Sequence, residues 1–345
     1  MKKLMLLVII ATVFMSCGND SKTVQTKAPE VKSDKFVELD KKARQFFAQL
    51  PAVAENPENP VTAEKVALGK ALYFDKRLSK DNTQSCNTCH NLDTYGVDNK
   101  SFSEGNNGGL GGRNSPTTLN AAFHITQFWD GREPDVEAQA GGPVLNPVEM
   151  EMPSEAAVVK RLSKVAEYKT LFAQAFPDAK QAITYDNIKK AIGAFERKLV
   201  TPSKFDKYIG GDDAALSESE KTGLQTYMDA GCTTCHSGAL LGGNMYQKFG
   251  IYGDYWTLTK SKKIDNGRFD VTQKESDKYL FKVPSLRNIE KTYPYFHDGS
   301  VNDLREAIKI MAKLQVNKEL SDEEVASIVT FLKTLTGELP TELKE

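Results

Sequence analysis

The 345-residue chain has only four histidines and two tryptophans, and no cysteine to spare. Four of its five cysteines fall in two Cys-x-x-Cys-His runs, and the fifth is Cys17, near the start. No pair is left over for a disulfide, so a disulfide-stapled scaffold is excluded. Excess charge is also missing. With 45 Lys+Arg against 46 Asp+Glu the formal net charge is −1. That excludes the broad positive field of a nucleic-acid binder and leaves any protein partner to local patches. No apolar run reaches the 18 or so residues of a membrane-spanning helix. The longest, Leu4 to Met15, follows Met1-Lys2-Lys3 and precedes Ser16-Cys17. A basic start, a short apolar core and small residues make an export signal. Phe14-Met15-Ser16-Cys17-Gly18 resembles a lipoprotein signal cleaved before Cys17, although Phe14 stands where Leu is usual.

What the chain does have is Cys86-Asn87-Thr88-Cys89-His90 and Cys232-Thr233-Thr234-Cys235-His236. Two thiols about one helical turn apart can each bond a vinyl-derived carbon of one porphyrin, and the next imidazole then lies under the iron. A zinc ribbon would place its two halves about 15–20 residues apart, and these are far more distant. The reading is two covalent haems c, with His90 and His236 as proximal ligands. Covalent haem attachment takes place outside the cytoplasm, in agreement with the export signal.

Helical spacing dominates the rest, and no clear strand pair is legible. Phe36 to Leu50 reads as a helix, as does a second one capped by Thr62 and running to about Phe74. Gly69 to Asp75 matches Gly223 to Asp229, and each is followed by a haem motif. This is a repeat at the level of a cytochrome c fold. Gly96 to Gly112 is a glycine- and asparagine-rich loop. Pro116 to Gln127 looks helical; Glu133 to Ala140 is a short helix that Gly141-Gly142-Pro143 breaks. Ser154 caps a helix to about Phe176, and Tyr185 to Leu199 forms another. Ser217 to Glu220 and Leu320 to Glu324 open two more helices, the first with a capping box. Val301 to Leu314 is amphipathic. The expected architecture is mainly α, with two cytochrome c-like haem domains in tandem. Residues 1–17 are the signal, 18–35 a polar tether, 36–200 the first haem domain and 201–345 the second.

The sixth position of each iron separates electron carriers from enzymes, because a filled site passes electrons and an open one does oxygen or peroxide chemistry. Met245 is too close to His236 to pass around the porphyrin, while Met311 is well placed, though it also reads as core filler on its helix. Around His90 the choice stays open. Met150, Met152 or His124 could close that iron, or Glu149 and Gln139 could manage protons over an open one.

Several further blocks resemble the bacterial di-haem cytochrome c peroxidases: Arg113-Asn114-Ser115-Pro116-Thr117, Phe128-Trp129-Asp130-Gly131-Arg132, Gln139 to Pro143 running on to Glu149-Met150, and Pro294-Tyr295-Phe296-His297-Asp298-Gly299. The resemblance spans about Leu50 to Gly337. It implies that His90 holds a low-potential peroxidatic haem, with Gln139 and Glu149 over the iron. It implies a high-potential, electron-accepting haem at His236 and Met311, and Trp129 as relay between the two. Asn114 with the carbonyls of Thr292 and Pro294 matches a calcium site. The implied reaction is reduction of hydrogen peroxide to water with electrons from a small cytochrome c or a cupredoxin. The expected setting is the periplasmic side, with a lipid anchor as the only membrane contact, and such enzymes are commonly homodimers. Many relatives carry a His in the glycine-rich loop that caps the resting peroxidatic haem. Asn106 stands there in this chain, which implies an open site in the oxidised state unless His124 caps it. The alternatives are a plain di-haem electron carrier and the related enzyme that oxidises tryptophans on a partner protein. The latter uses Tyr where Met311 stands.

Overall fold

The computed structural model describes residues 34–345, so the signal, Cys17 and nearly all of the tether lie outside the described residues. Thirteen α-helices, eight short 3-10 helices and one pair of three-residue strands make up the regular structure described. In order, α1 is Val37–Phe46, α2 Ala63–Phe74, α3 Cys86–Cys89, α4 Val136–Leu145, α5 Glu155–Leu162, α6 Ala166–Ala175 and α7 Tyr185–Glu196. The second half holds α8 Lys204–Ile209, α9 Glu218–Asp229, β1 Tyr246–Lys248, α10 Tyr255–Thr259, α11 Phe269–Thr272, β2 Leu280–Lys282, α12 Leu304–Val316 and α13 Asp322–Lys333.

Two helix crossings organise the molecule, and the sequence repeat explains both. In the first half α2 crosses α7 at Gly69, where a Cβ would run into the Ala191 carbonyl and lie 2.8 Å from Phe195 Cβ. In the second half α9 crosses α13 at Gly223, where a Cβ would run into the Ser327 carbonyl and lie 3.0 Å from Phe331 Cβ. Only glycine lets the backbones come this close. One turn later Tyr73 packs on Phe195 with ring centroids 5.3 Å apart, and Tyr227 on Phe331 at 5.0 Å. The caps are those the residues suggest: Thr62 accepts from Lys65 N, and Ser217 and Ser321 close capping boxes with Glu220 and Glu324.

The ends of the chain exchange halves. Helix α1, expected with residues 36–200, packs through Leu39, Ala43 and Phe47 into the core of Phe205, Tyr208, Tyr227 and Phe331. Conversely, Leu339 and Leu343 join Tyr73, Leu92 and Phe195 in the first half.

Four local expectations are corrected. Residues 116–127 hold only a 3-10 turn, Ala121–Phe123. Asn120 there is left-handed, and its N–H goes to the Leu199 carbonyl instead of into a helix. Helix α4 runs through Gly141-Gly142-Pro143 to Leu145, packed at Gly141 against Lys189 and Tyr185, whose Oη donates to the Gly141 carbonyl at 2.6 Å. The segment 154–176 is two helices, α5 and α6, with a break at residues 163–165. The strands β1 and β2 do pair, antiparallel, with Gln247 opposite Phe281.

Candidate active site

The first haem motif forms one tight turn. Ser85 and Thr88 close a capping box at its start, and His90 N donates to Cys86 O at 2.9 Å. Cys86 and Cys89 therefore stand one turn apart with His90 directly after them. Tyr73, delivered by the α2–α7 crossing, donates to His90 O at 2.6 Å and fixes the motif to the helix pair. Burial lowers the His90 pKa, so the ring is neutral, the form that binds iron. Its Nδ1 is buried and faces the Gly96 and Pro116 backbone without a well-aligned hydrogen bond.

These three residues open onto a cavity of about 560 Å³, within the range of cofactor sites. Gln139, Glu149, Trp129, Arg132 and Glu196 line it as well. A thiol pair, a neutral imidazole and a cavity of this size fit a covalent haem. Burial pushes the Cys89 thiol up to about 11 and the Cys86 thiol still higher, so both stay protonated until thioether bonds consume them. No disulfide engages any of the four motif cysteines.

The second motif repeats the plan with one difference. Its cysteines sit on a 3-10 turn after left-handed Gly231, His236 N donates to Cys232 O at 2.9 Å, and Tyr227 donates to His236 O at 3.0 Å. His236 Nδ1, however, lies 3.0 Å from Leu241 O. A carbonyl only accepts, so the proton is on Nδ1 and Nε2 is left free for iron, the usual arrangement of an oriented metal-binding imidazole.

Of the proposed distal residues, Gln139 and Glu149 are brought together on the wall of the His90 cavity. Gln139 comes from α4; Glu149 follows a turn in which its N–H donates to Asn146 O at 3.0 Å. Burial raises the Glu149 pKa, and the Arg132 guanidinium pulls it partly back. Arg132 is held over the Phe128 ring at 3.4 Å and by Asp130 at 3.0 Å. Trp129 borders the same cavity and donates to Asn114 O at 2.8 Å. It also touches the aromatic cluster of Phe249, Tyr255, Phe281 and Tyr295 against which Met311 of α12 packs. Met150 borders the cavity but is packed into the core beside Leu78 and Val144; Met152, in that same core, does not line the cavity. Met245 pairs through its carbonyl with Val283 N at 3.0 Å, beside β1.

His124 is outside the lining of the His90 cavity. Its ring packs on Gly243, and its Nδ1 is 2.7 Å from Lys282 Nζ, so it does not cap that site. Asn106 also faces away. Its side chain accepts from Asp81 N and Thr83 Oγ1 and donates to Asp81 and Glu151, all at 3.1–3.3 Å, while its N–H donates to Glu149 O at 2.6 Å. The glycine-rich loop is thus folded against the Glu149 turn, where a Cβ on Gly105 would collide with the Val148 carbonyl.

The calcium candidates share one seam. Asn114 is buried, donates through Nδ2 to Lys100 O at 2.9 Å and through its N–H to His297 O at 2.7 Å. Asn99 reaches the Tyr293 carbonyl at 2.8 Å, between Thr292 and Pro294. Among the described residues no cluster of three His, Cys, Asp or Glu could hold a metal.

Sequence reasoning gave no role to Arg132 or Glu196. Arg132 lay inside a quoted motif; Glu196 carried no signal. It is buried in α7, borders the cavity, and burial with the nearby Glu137 charge pushes it up to about 8.

The chain resembles known proteins over most of its length. The family profile for di-haem cytochrome c peroxidase matches residues 63–214, and a cytochrome c profile matches 221–336. The chain is 46% identical over 291 residues to the cytochrome c551 peroxidase of Nitrosomonas europaea, covering 84% of each. The chain belongs to the di-haem cytochrome c peroxidase family. A second relative, the cytochrome c551 peroxidase of Pseudomonas aeruginosa, is 44% identical over 306 residues, covering 88% of this chain and 87% of its own. A solved MauG-like protein associated with microbial copper homeostasis superposes with a TM-score of 0.75 at 32% identity, covering 84% of this chain and 94% of that one. Membership brings two haems c, one for each motif, and the mainly helical tandem fold is that of the family.

Proposed function

We propose that the protein reduces hydrogen peroxide to water with electrons from a small redox protein, taken in at the His236/Met311 haem and used at the His90 haem. The reaction consumes two electrons and two protons per peroxide and yields two waters. The observation that carries the reading is the meeting of Glu149, Gln139 and Trp129 on the one cavity that His90, Cys86 and Cys89 also border.

When bound, the haems supply the irons at which electrons are stored and peroxide is reduced. The chain's own groups do the rest. His90 is kept neutral by burial and so offers a ring nitrogen to iron. Glu149 takes a proton from the near oxygen of peroxide and returns it to the leaving oxygen. A carboxyl with a raised pKa suits both halves of that transfer, and such acid–base groups contribute about 10²–10⁴ in rate. The Gln139 amide orients the peroxide. Trp129 touches both the His90 cavity and the cluster that contains Met311, the position a relay needs. The Met311 thioether favours ferrous iron and keeps the His236 haem at high potential. Asn114 with the Thr292 and Pro294 carbonyls offers only neutral oxygens, which suits a hard cation such as calcium with water completing its shell. Cys17 is the proposed lipidation site of an exported, periplasm-facing enzyme; among the described residues no helix is long and apolar enough to cross a membrane.

A second reading, a di-haem electron carrier, draws on Met150, which borders the His90 cavity too. Turnover separates them. The oxidised holoprotein with calcium and a reduced small cytochrome c is given peroxide, with and without brief pre-reduction. Turnover without a lag is expected, because Asn106 and His124 both leave the His90 site uncapped. Activity only after pre-reduction means that another residue closes the resting site, and no turnover in either case selects the carrier.

A further inference from the structure

Beside the Trp129 backbone, at the end of β2, lies a lysine that the reaction does not use. Lys282 is 5% exposed, and its N–H donates to Trp129 O at 2.8 Å. Its ammonium has one hydrogen-bond partner, His124 Nδ1 at 2.7 Å, and no carboxylate stands within ion-pair distance among the described residues. The acid whose charge reaches it, Asp130, is already held by Arg113 and Arg132. An ammonium carries three N–H donors and no acceptor, so His124 accepts at Nδ1 and bears its own hydrogen on Nε2. That Nε2 is buried and has no partner either.

Two donors, one of them charged, therefore point into the interior with no acceptor between them. A buried unpaired cation costs several kcal/mol, and each buried unsatisfied donor adds to that. Natural interiors seldom leave such groups unanswered. Deprived of an acid, the lysine is dragged by burial down to about 7. What is missing is an anion with oxygen acceptors and no charge-matching side chain to supply it.

The place of the pair says which anion. A Cβ on Gly243 would lie 2.6 Å from His124 Cδ2, and a Cβ on the adjacent Gly242 would lie 3.2 Å from His236 Nδ1. The Gly242-Gly243 step thus joins the pair to the segment that packs on the Nδ1 side of His236, and neither member lines the His90 cavity. Haem carries two propionate carboxylates at one edge. We propose that Lys282 and His124 form the seat of a propionate of the haem held by His236, with the ammonium as its counter-charge. The inference rests on the di-haem reading, and its test reports on the second haem separately from peroxidase activity.

The test is potentiometric titration of the holoprotein, each haem followed by its own optical or magnetic signal, with resonance Raman spectra of the propionate bending modes. In Lys282→Met a positive charge that stabilises the reduced haem is lost. The reduced-to-oxidised ratio of the His236 haem at fixed potential is expected to fall about tenfold, a shift of about 59 mV to lower potential. The propionate bands should move, and the His90 haem should keep its potential. Lys282→Arg should retain both wild-type signatures, and His124→Leu should give a smaller shift of the same sign. Should Lys282→Met fail to load haem, Lys282→Gln takes its place with the same expectation. Unchanged potential and Raman bands in the neutral variants overturn the proposal, as does a shift confined to the His90 haem. Failure of the peroxidase reading alone would show as absent turnover in the wild type while the neutral variants still shift the His236 haem potential and the propionate bands.

Discussion

The two halves of the molecule are nearly superposable in plan on the proximal side and unlike on the other. In each, a glycine lets two helices cross, a tyrosine one turn on packs against a phenylalanine, and its hydroxyl holds the carbonyl of the haem histidine. Beyond that point they part. His90 faces a cavity with carboxylate, amide and guanidinium groups on its walls. Met311, the proposed partner of His236, packs instead into Phe249, Tyr255, Phe281 and Tyr295. On the proposed reading the cytochrome c scaffold supplies attachment and one axial ligand, and the chemistry comes from the segments added after it. In the first half these are the loop at 96–112 and the α4–Glu149 unit; in the second, α12.

The largest asymmetry expected is catalytic. Glu149→Gln should lower turnover about 10²–10⁴-fold while leaving the potential of the His236 haem where it was; steady-state assays with potentiometry check both. A change in that potential would mean the halves are less separate than they look. Next comes stability. Each half has a buried arginine ion pair, Glu137–Arg197 in the first and Asp206–Arg287 in the second, and Asp40–Lys221 is a further buried pair in the second. Removing one partner strands a buried charge and should cost about 3–5 kcal/mol in either half. Chemical denaturation of Glu137→Ala and Asp206→Ala should therefore give similar losses. For both acids burial alone would raise the pKa, but hydrogen bonds and charge from the arginine bring it below the ordinary carboxylate value. A depressed folded-state pKa means stability that is present above the unfolded pKa and lost as pH falls through the folded one. The wild-type pairs should fail in acid, and each alanine variant should lose that part of the acid sensitivity.

Gly69→Ala and Gly223→Ala make the most direct comparison of the two crossings. Each forces helices apart at a backbone carbonyl, at about 1–3 kcal/mol, and thermal unfolding should show losses of the same order. The smallest effect is on the pH profile. Turnover should fall as pH drops below the raised Glu149 pKa, since the base must be ionised to take a proton. In Arg132→Ala the inflection should move further up, because the charge that restrained it is gone.

Much of this was legible in the sequence, for identifiable reasons. The haem motifs are local, so covalent spacing reads directly. The repeat Gly69–Asp75 and Gly223–Asp229 marked the helix before each haem motif, though not the crossing it makes, and the hydroxyl and carboxyl caps at Thr62, Ser217 and Ser321 behaved locally. What stayed hidden was long-range. Nothing in α1 announces that it packs on the opposite half. The break expected at Gly141-Gly142-Pro143 does not occur, and the packing there comes from a tyrosine 44 residues away, which donates to the Gly141 carbonyl. The proposed calcium ligands at 292 and 294 are backbone oxygens, invisible in side-chain identity. Glu196 and the His124–Lys282 pair acquire meaning only from burial, and 158 residues separate the latter two.

The central claim is one open and one closed iron in a single chain. It is tested most directly by the electron paramagnetic resonance spectrum of the fully oxidised holoprotein, before any reductant is added. A high-spin ferric signal from the His90 haem is expected beside one low-spin signal from the His236 haem. Two low-spin signals would contradict it.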